Sequence, residues 1–316
     1  MEDVGSARTG LSSELALLLV LATLWGASYS FIKVAVATIA PITLIALRSL
    51  IAGVLLLLIM RWRAIAMPMD AATWRRFAFQ AVLNSIIPWT LIAWGELTVD
   101  AGLATTLNSA APIFTYLFTA FVTRHEAAPP RKLFGVIAGM AGICLIVGVK
   151  AFDHVGQELL AEIAIVAATI CYAFAAIFSR GFAGLDPMAP AAGSLLRGAA
   201  ALILASLVFE QPWTLAPSQA SVLALAGLAV ISTAAAFAIY FRLIQTLGSV
   251  STTAQAYLRV PIGVAVSVIF LGERLGPTAW FGLACVVAGV AAMTIPARAT
   301  GRGPALVRPE SPGKIG

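Results

Sequence analysis

Residues 104–142 read ATTLNSAAPIFTYLFTAFVTRHEAAPPRKLFGVIAGMAG, and residues 251–289 read STTAQAYLRVPIGVAVSVIFLGERLGPTAWFGLACVVAG. Laid on one another without a gap, 147 residues apart, the two stretches pair Thr105-Thr106 with Thr252-Thr253, Asn108 with Gln255, Glu126 with Glu273 and Pro130 with Pro277. Phe134-Gly135 then meets Phe281-Gly282, and Ala141-Gly142 meets Ala288-Gly289. Working outward at the same offset, Trp25 falls on Tyr172 and Lys33 on Arg180; after a shift of two, Pro41 and Arg48 fall on Pro190 and Arg197. The chain is a duplicated half-molecule, since solenoid arrays repeat at roughly 20–50 residues. The copies run over residues 1–150 and 151–296 and leave a tail at 297–316.

With 60% hydrophobic and 11% charged residues and a mean hydropathy of +0.96, the chain is an integral membrane protein; soluble domains carry about 25% charged residues. Apolar stretches near the roughly 20 residues a spanning helix needs lie at Leu15 to Ala37, Pro41 to Met60, Phe77 to Leu97, Leu103 to Thr123 and Lys132 to Lys150. The second copy repeats them at Leu159 to Arg180, Met188 to Phe209, Gln219 to Leu243, Val250 to Leu271 and Pro277 to Pro296. The reading is therefore all-α, with ten transmembrane helices, five per copy.

Net charge is +6, and its distribution is topological. Alternate connections hold Arg8; Arg61, Arg63, Arg75 and Arg76; Arg124, Arg131 and Lys132; Arg180 and Arg242; and, in the tail, Arg298, Arg302, Arg308 and Lys314, which makes 14. The opposite side has Lys33, Lys150 and Arg274. The positive-inside rule then puts both termini in the cytoplasm. No basic n-region with a short apolar core opens the chain, so helix 1 is expected to be retained, and the Gly- and Pro-containing tail to be disordered. No basic patch interleaved with aromatics suggests nucleic acid.

Five crossings per copy have a consequence for symmetry: copy two enters from the side opposite to copy one. The copies become inverted repeats, related by a two-fold axis in the membrane plane, an arrangement typical of secondary transporters with a midplane site between the halves. A channel would need a continuous polar lining, and no helix has a sustained polar stripe.

The sequence Leu-Trp-Gly-Ala-Ser-Tyr-Ser-Phe at 24–31, the Pro41-to-Arg48 opening of helix 2, Pro112 in helix 4, and Pro261 followed by Phe-Leu-Gly-Glu-Arg-Leu at 270–275 with Gly282 and Ala288-Gly289 resemble the EamA-type transporters of the drug/metabolite transporter superfamily. The resemblance implies a bacterial-type inner-membrane protein with helices 5 and 10 peripheral and the others around a central cavity. It also implies export or exchange of small metabolites, amino acids including aromatic and apolar ones first among them. Exchange of phosphorylated metabolites or nucleotide sugars, and drug efflux, stand as alternatives. Arg124-His125-Glu126 departs from the pattern that Leu271-Gly272-Glu273 keeps.

Arg48 and Arg197 each lie seven residues past a helix-opening proline, roughly 10 Å into their helices. Intramembrane arginines mark function or snorkel and bond neighbouring carbonyls; their occurrence in both copies favours a structural role, as for Pro112 and Pro261. Arg259 stands opposite Pro112 and so breaks the symmetry. It is read either as the partner of a substrate carboxylate or as paired with a glutamate such as Glu96. Asn84, Asn108 and Gln255, with Gln80, offer hydrogen bonds inside helices. Trp25, Tyr29, Trp89, Tyr116, Tyr172 and Tyr257 are the expected aromatic walls, since small-molecule pockets are mostly apolar; Tyr240 and Trp94 are further candidates, Trp94 also suiting an interfacial belt. Gly135, Gly139, Gly142, Gly282 and Gly289 read as close helix-packing surfaces.

No enzyme chemistry is expected. Cys144, Cys171 and Cys285 are isolated in apolar runs without metal-site spacing, and His125 and His154 fall in loops, so no nucleophile–base pair suggests itself. Neither a metal nor another cofactor is implied. No Walker A motif occurs, so no ATPase partner is implied by this chain. The expected partners are a small-molecule substrate and the bilayer, the chain being a monomer or a weak homo-oligomer.

Overall fold

The computed structural model describes residues 2–95, 98, 107–123, 129–147, 158–262 and 277–295, and among them there is helix and turn but no strand. Copy one contains α1 (Glu2–Ala35), α2 (Pro41–Trp62), α3 (Ala71–Ala81), α4 (Ile87–Gly95), α5 (Ala111–Leu117) and α6 (Pro130–Val147). Copy two contains α7 (Leu159–Ser179), α8 (Met188–Phe209), α9 (Gln219–Ala229), α10 (Ala236–Thr246), α11 (Ser249–Thr253) and α12 (Pro277–Thr294). A π-helical turn, Val82–Ile86, joins α3 to α4, and Val230–Ala235 joins α9 to α10 at the matching place in copy two. Five described segments are long and apolar enough to cross a membrane: Leu11–Ser28, Pro41–Trp62, Leu159–Phe182, Met188–Phe209 and Gln219–Thr246. Ala111–Val122 and Trp280–Thr294 are apolar but shorter.

Local chemistry sets the boundaries. Pro41 occupies the first turn of α2, where a missing N–H costs nothing. The next two donors, Ile42 N and Thr43 N, reach across to the Glu210 carboxylate at 2.8 and 2.6 Å, an interhelical cap in place of a local one. Helix 3 begins at Ala71, six residues before the expected Phe77, because Asp70 caps it by accepting from Thr73 N at 2.8 Å. That bond holds the Asp70 carboxyl below the usual aspartate range. Gly248, at φ 85°, turns the chain sharply between α10 and α11. Helix 1 extends back to Glu2, past the expected Leu15, and carries Glu14 to Arg242 at 2.7 Å. The expected ninth helix is interrupted at Ala254; its part beyond residue 262, together with Glu96, Glu126, Glu273, both histidines and the 297–316 tail, lies outside the described residues.

The copies pack as mutual partners. The principal contacts join α2 to α8, α6 to α12, α5 to α11, α4 to α7 and α1 to α9. Exchanging the copies maps the first three pairs onto themselves and α4–α7 onto the contact of α1 with α10, so these pairs have the two-fold symmetry of the duplication. At the α6–α12 crossing a Cβ on Gly135 would sit 2.6 Å from Gly289 O, and one on Gly142 the same distance from Gly282 O. Partner numbers run in opposite directions, so the helices are antiparallel and the axis relating them is perpendicular to both. At one end of the bundle Arg76 donates to Gly181 O and Arg180 Nη1 to Ile244 O at 3.0 Å. At the other, Thr38 Oγ1 donates to Ser221 Oγ at 2.8 Å.

Candidate functional site

A cavity of about 420 Å³ lies between the copies, walled by α1, α2, α4, α7 and α10 and by the segments carrying Asn84, Asn108, Gln255 and Arg259. Its lining is mainly apolar, and its charged members are Arg48 and Arg259; no Asp, Glu or His is among the described residues that line it.

Each guanidinium is seated on a tryptophan of copy one. Arg48, 6% exposed, has Cζ 4.3 Å from the Trp89 ring centroid and donates from Nε to Thr233 Oγ1 at 3.1 Å. The Thr233 hydroxyl proton goes to Leu228 O at 2.7 Å, five residues back near the end of α9, so its lone pairs are left to face Arg48. The π turn thus makes an acceptor for a buried cation. Arg259 has Cζ 5.0 Å from the Trp25 centroid and donates from Nε to Gln255 Oε1, one helical turn away, at 2.9 Å. Phe237 bridges the two tryptophans, 6.1 Å from Trp25 and 6.4 Å from Trp89. Two guanidiniums therefore end a three-ring aromatic run. Cation–π contact stabilises a desolvated arginine, and each retains N–H donors suited to an anion.

Of the residues expected from sequence, the cavity brings together Trp25, Asn84, Trp89, Asn108, Tyr172, Gln255 and Arg259, and also Tyr240. The Tyr29 side chain lies outside the described residues. Tyr257 is not brought there: it packs against Gly139 and donates its hydroxyl to Val136 O at 3.1 Å, fastening its helix to α6. Gln255 and Arg259 share a helical face, and a residue two positions along points roughly 200° away. Tyr116 faces a separate apolar cleft against α6, of about 350 Å³, with Val136 and Met140; it is five residues past the lining residue Ala111 and so about 140° round the helix. Pro112 is buried in the first turn of α5, and Pro261 is half-buried.

Arg48 and Arg197, expected from sequence as a structural pair, have different surroundings. Arg48 lines the cavity, whereas Arg197, at the mirrored position, stacks on Trp74 at 4.9 Å and does not. Ser28, Phe237 and Thr253 also line the cavity and were not anticipated. A signal for Phe237 existed, because aligning the two π turns places it on Trp89 at an offset of 148. Asn84 Nδ2 and Asn108 Oδ1 are buried without a hydrogen-bond partner among the described residues.

A family model described as the EamA-like transporter family matches this sequence twice, over residues 12–148 and 159–295. The chain belongs to that family. EamA-like transporters are part of the drug/metabolite transporter superfamily, and membership points to a membrane transporter of a small molecule. Relatives of this EamA-like chain include the uncharacterized inner membrane transporter YedA of Escherichia coli, 25% identical over 86% of this chain and 87% of that one. A probable terminal-alkyne amino-acid exporter of Streptantibioticus cattleyicolor is 28% identical over 71% of each. The uncharacterized transporter YoaV of Bacillus subtilis is 23% identical over 76% of this chain and 82% of its own. A crystal structure of another protein superposes with a TM-score of 0.73 at 19% identity, covering 89% of this chain and 96% of that one. That is a likeness of fold.

Proposed function

We propose that this EamA-like chain is a secondary transporter that exports small carboxylate-bearing metabolites, amino acids with aromatic or apolar side chains foremost, across the inner membrane by alternating access. Ten membrane-spanning helices form inverted repeats over residues 1–150 and 151–296, with both termini cytoplasmic. The observation that carries the reading is the pair of tryptophan-seated guanidiniums in a cavity between the repeats, without a carboxylate among its described lining residues. An anionic group on the substrate complements them, and the aromatic run between them suits an apolar side chain. The cavity is at the small end of ligand pockets, which run from about 300 to 1,000 Å³, and so favours a small metabolite. The name of the Streptantibioticus relative, an amino-acid exporter, supports the substrate class.

A second reading, exchange of phosphorylated metabolites, draws on Arg48 joining Arg259 in the cavity. Counterflow in proteoliposomes separates the two: internal unlabelled amino acid is expected to drive uptake of the labelled amino acid, and internal glycerol 3-phosphate is not. The transporter is expected to work as a uniporter or exchanger. Counterflow at equal pH should therefore persist, and an imposed pH step of either sign should drive no concentrative uptake. Concentrative uptake abolished by Glu96→Gln would overturn that coupling.

A further inference from the structure

Each repeat sets an amide into the cavity wall at the same place. At the 147-residue offset Asn108 stands on Gln255, and one helical turn further Pro112 stands on Arg259. In copy two the amide oxygen is satisfied, since Gln255 Oε1 accepts from Arg259 Nε at 2.9 Å. In copy one the residue at the arginine's place is a proline, which has no donor. Asn108 Oδ1 lines the same cavity, is buried, and accepts from no group among the described residues. A buried acceptor left without a donor is costly unless something enters to serve it. The symmetry says what kind of group is missing: where copy two holds a cation against its amide, copy one holds none.

We propose that Asn108 Oδ1 receives the primary ammonium of a zwitterionic α-amino acid whose carboxylate lies on Arg259. The ligand's own cation then occupies, in copy one, the position that a guanidinium occupies in copy two. Asn84 Nδ2 is a buried donor without an acceptor in the same wall, and it complements a carboxylate oxygen. One orphaned acceptor, one orphaned donor and an arginine match the ammonium and carboxylate of an amino acid better than a plain carboxylate, which leaves Asn108 unserved. They also disfavour a simple amine, which the two guanidiniums repel. The inference rests on the carrier reading above and assigns its selectivity to an asymmetry between the repeats.

The test uses the purified full-length protein. Thermal-stabilisation binding is measured across the proteinogenic amino acids, and counterflow with two matched pairs, L-phenylalanine against 3-phenylpropanoate and L-leucine against 4-methylpentanoate. The wild type is expected to favour amino acids over their des-amino partners by about ten- to a hundredfold, the range for a hydrogen bond to a charged group. Asn108→Leu is expected to bring that ratio close to one by weakening the amino acid. Asn108→Asp, which keeps an acceptor and adds charge, is expected to keep or raise the ratio, and it carries the test if the leucine variant does not fold. Equal binding of both members of a pair by the wild type overturns the assignment, as does an equal loss for both members in Asn108→Leu; either leaves the carboxylate role of Arg259 standing. Binding of neither class overturns the carrier reading as well.

Discussion

Arg48 and Arg197 occupy mirrored positions, yet one lines the cavity beside Trp89 and Thr233 while the other lies over Trp74. Spacing from a helix-opening proline sets depth in the bilayer and says nothing of which neighbour the guanidinium meets. Among variants of equal thermal stability, Arg259→Ala and Arg48→Ala are therefore expected to raise KM or lower kcat for counterflow by tenfold or more. Arg197→Ala is expected to remain within a few-fold of wild type, its stacking contact costing about 0.5–2 kcal/mol of stability. An equal transport defect in all three would return Arg48 to a structural role. The same limit applies to the aromatics: Trp25 and Tyr257 are equally plausible wall residues in sequence, but Tyr257 is sealed against Gly139.

Helix pairs are held by what their contact faces lack. At the α6–α12 crossing, carbonyl oxygens occupy the space that a Cβ on Gly135, Gly142, Gly282 or Gly289 would need; helices in lipid associate through such close packing rather than through a hydrophobic drive. Gly135→Leu or Gly282→Leu forces the helices apart, since backbone cannot turn aside as a side chain can. The expected loss is about 1–3 kcal/mol or more, read as a lowered melting temperature in detergent. Gly26→Ala, with no atom within 4 Å of the added Cβ, should change stability by less than about 1 kcal/mol. No described residue of α6 or α12 lines the cavity, so a glycine variant that survives purification should keep its substrate affinity. The π turns are elements of another kind. Val82–Ile86 and Val230–Ala235 carry no glycine or proline, and only the three-dimensional alignment displays Thr233 as the acceptor for Arg48.

Across the whole molecule the cavity reaches the end where α1 meets α2, at Val36 and Pro41. Toward the other end lies a stack of rings: Phe237 to Phe241 at 6.4 Å, Phe241 to Phe182 at 6.1 Å, and Phe182 to Phe77 at 5.5 Å. Arg76 caps the stack, 5.0 Å from the Phe182 centroid. On the proposed topology, which puts the basic connections in the cytoplasm, this conformation faces outward. In a protein freed of its three cysteines, Val36→Cys should react with an impermeant maleimide applied to intact cells. Met69→Cys, in the connection before α3, should react only after the cells are opened. The reverse pattern would sink the inverted topology.

The membrane setting and the duplication could be read from residues alone, because apolar length and a repeated pattern are local properties that survive without any tertiary contact. Helix existence followed for the same reason: Met188–Phe209 is helical over the span its sequence suggested, while α3 began earlier because a single capping carboxylate moved its start. The cavity was legible only in part. In water an amphipathic helix announces its buried face, but in lipid the face toward hydrocarbon and the face toward another helix have much the same composition. Arg259 stood out because it broke the repeat. Arg48, which kept it, did not, and neither did the exclusion of Tyr116 and Tyr257. Those depend on the rotation of each helix about its axis and on the antiparallel docking of one copy against the other, which tertiary packing alone decides.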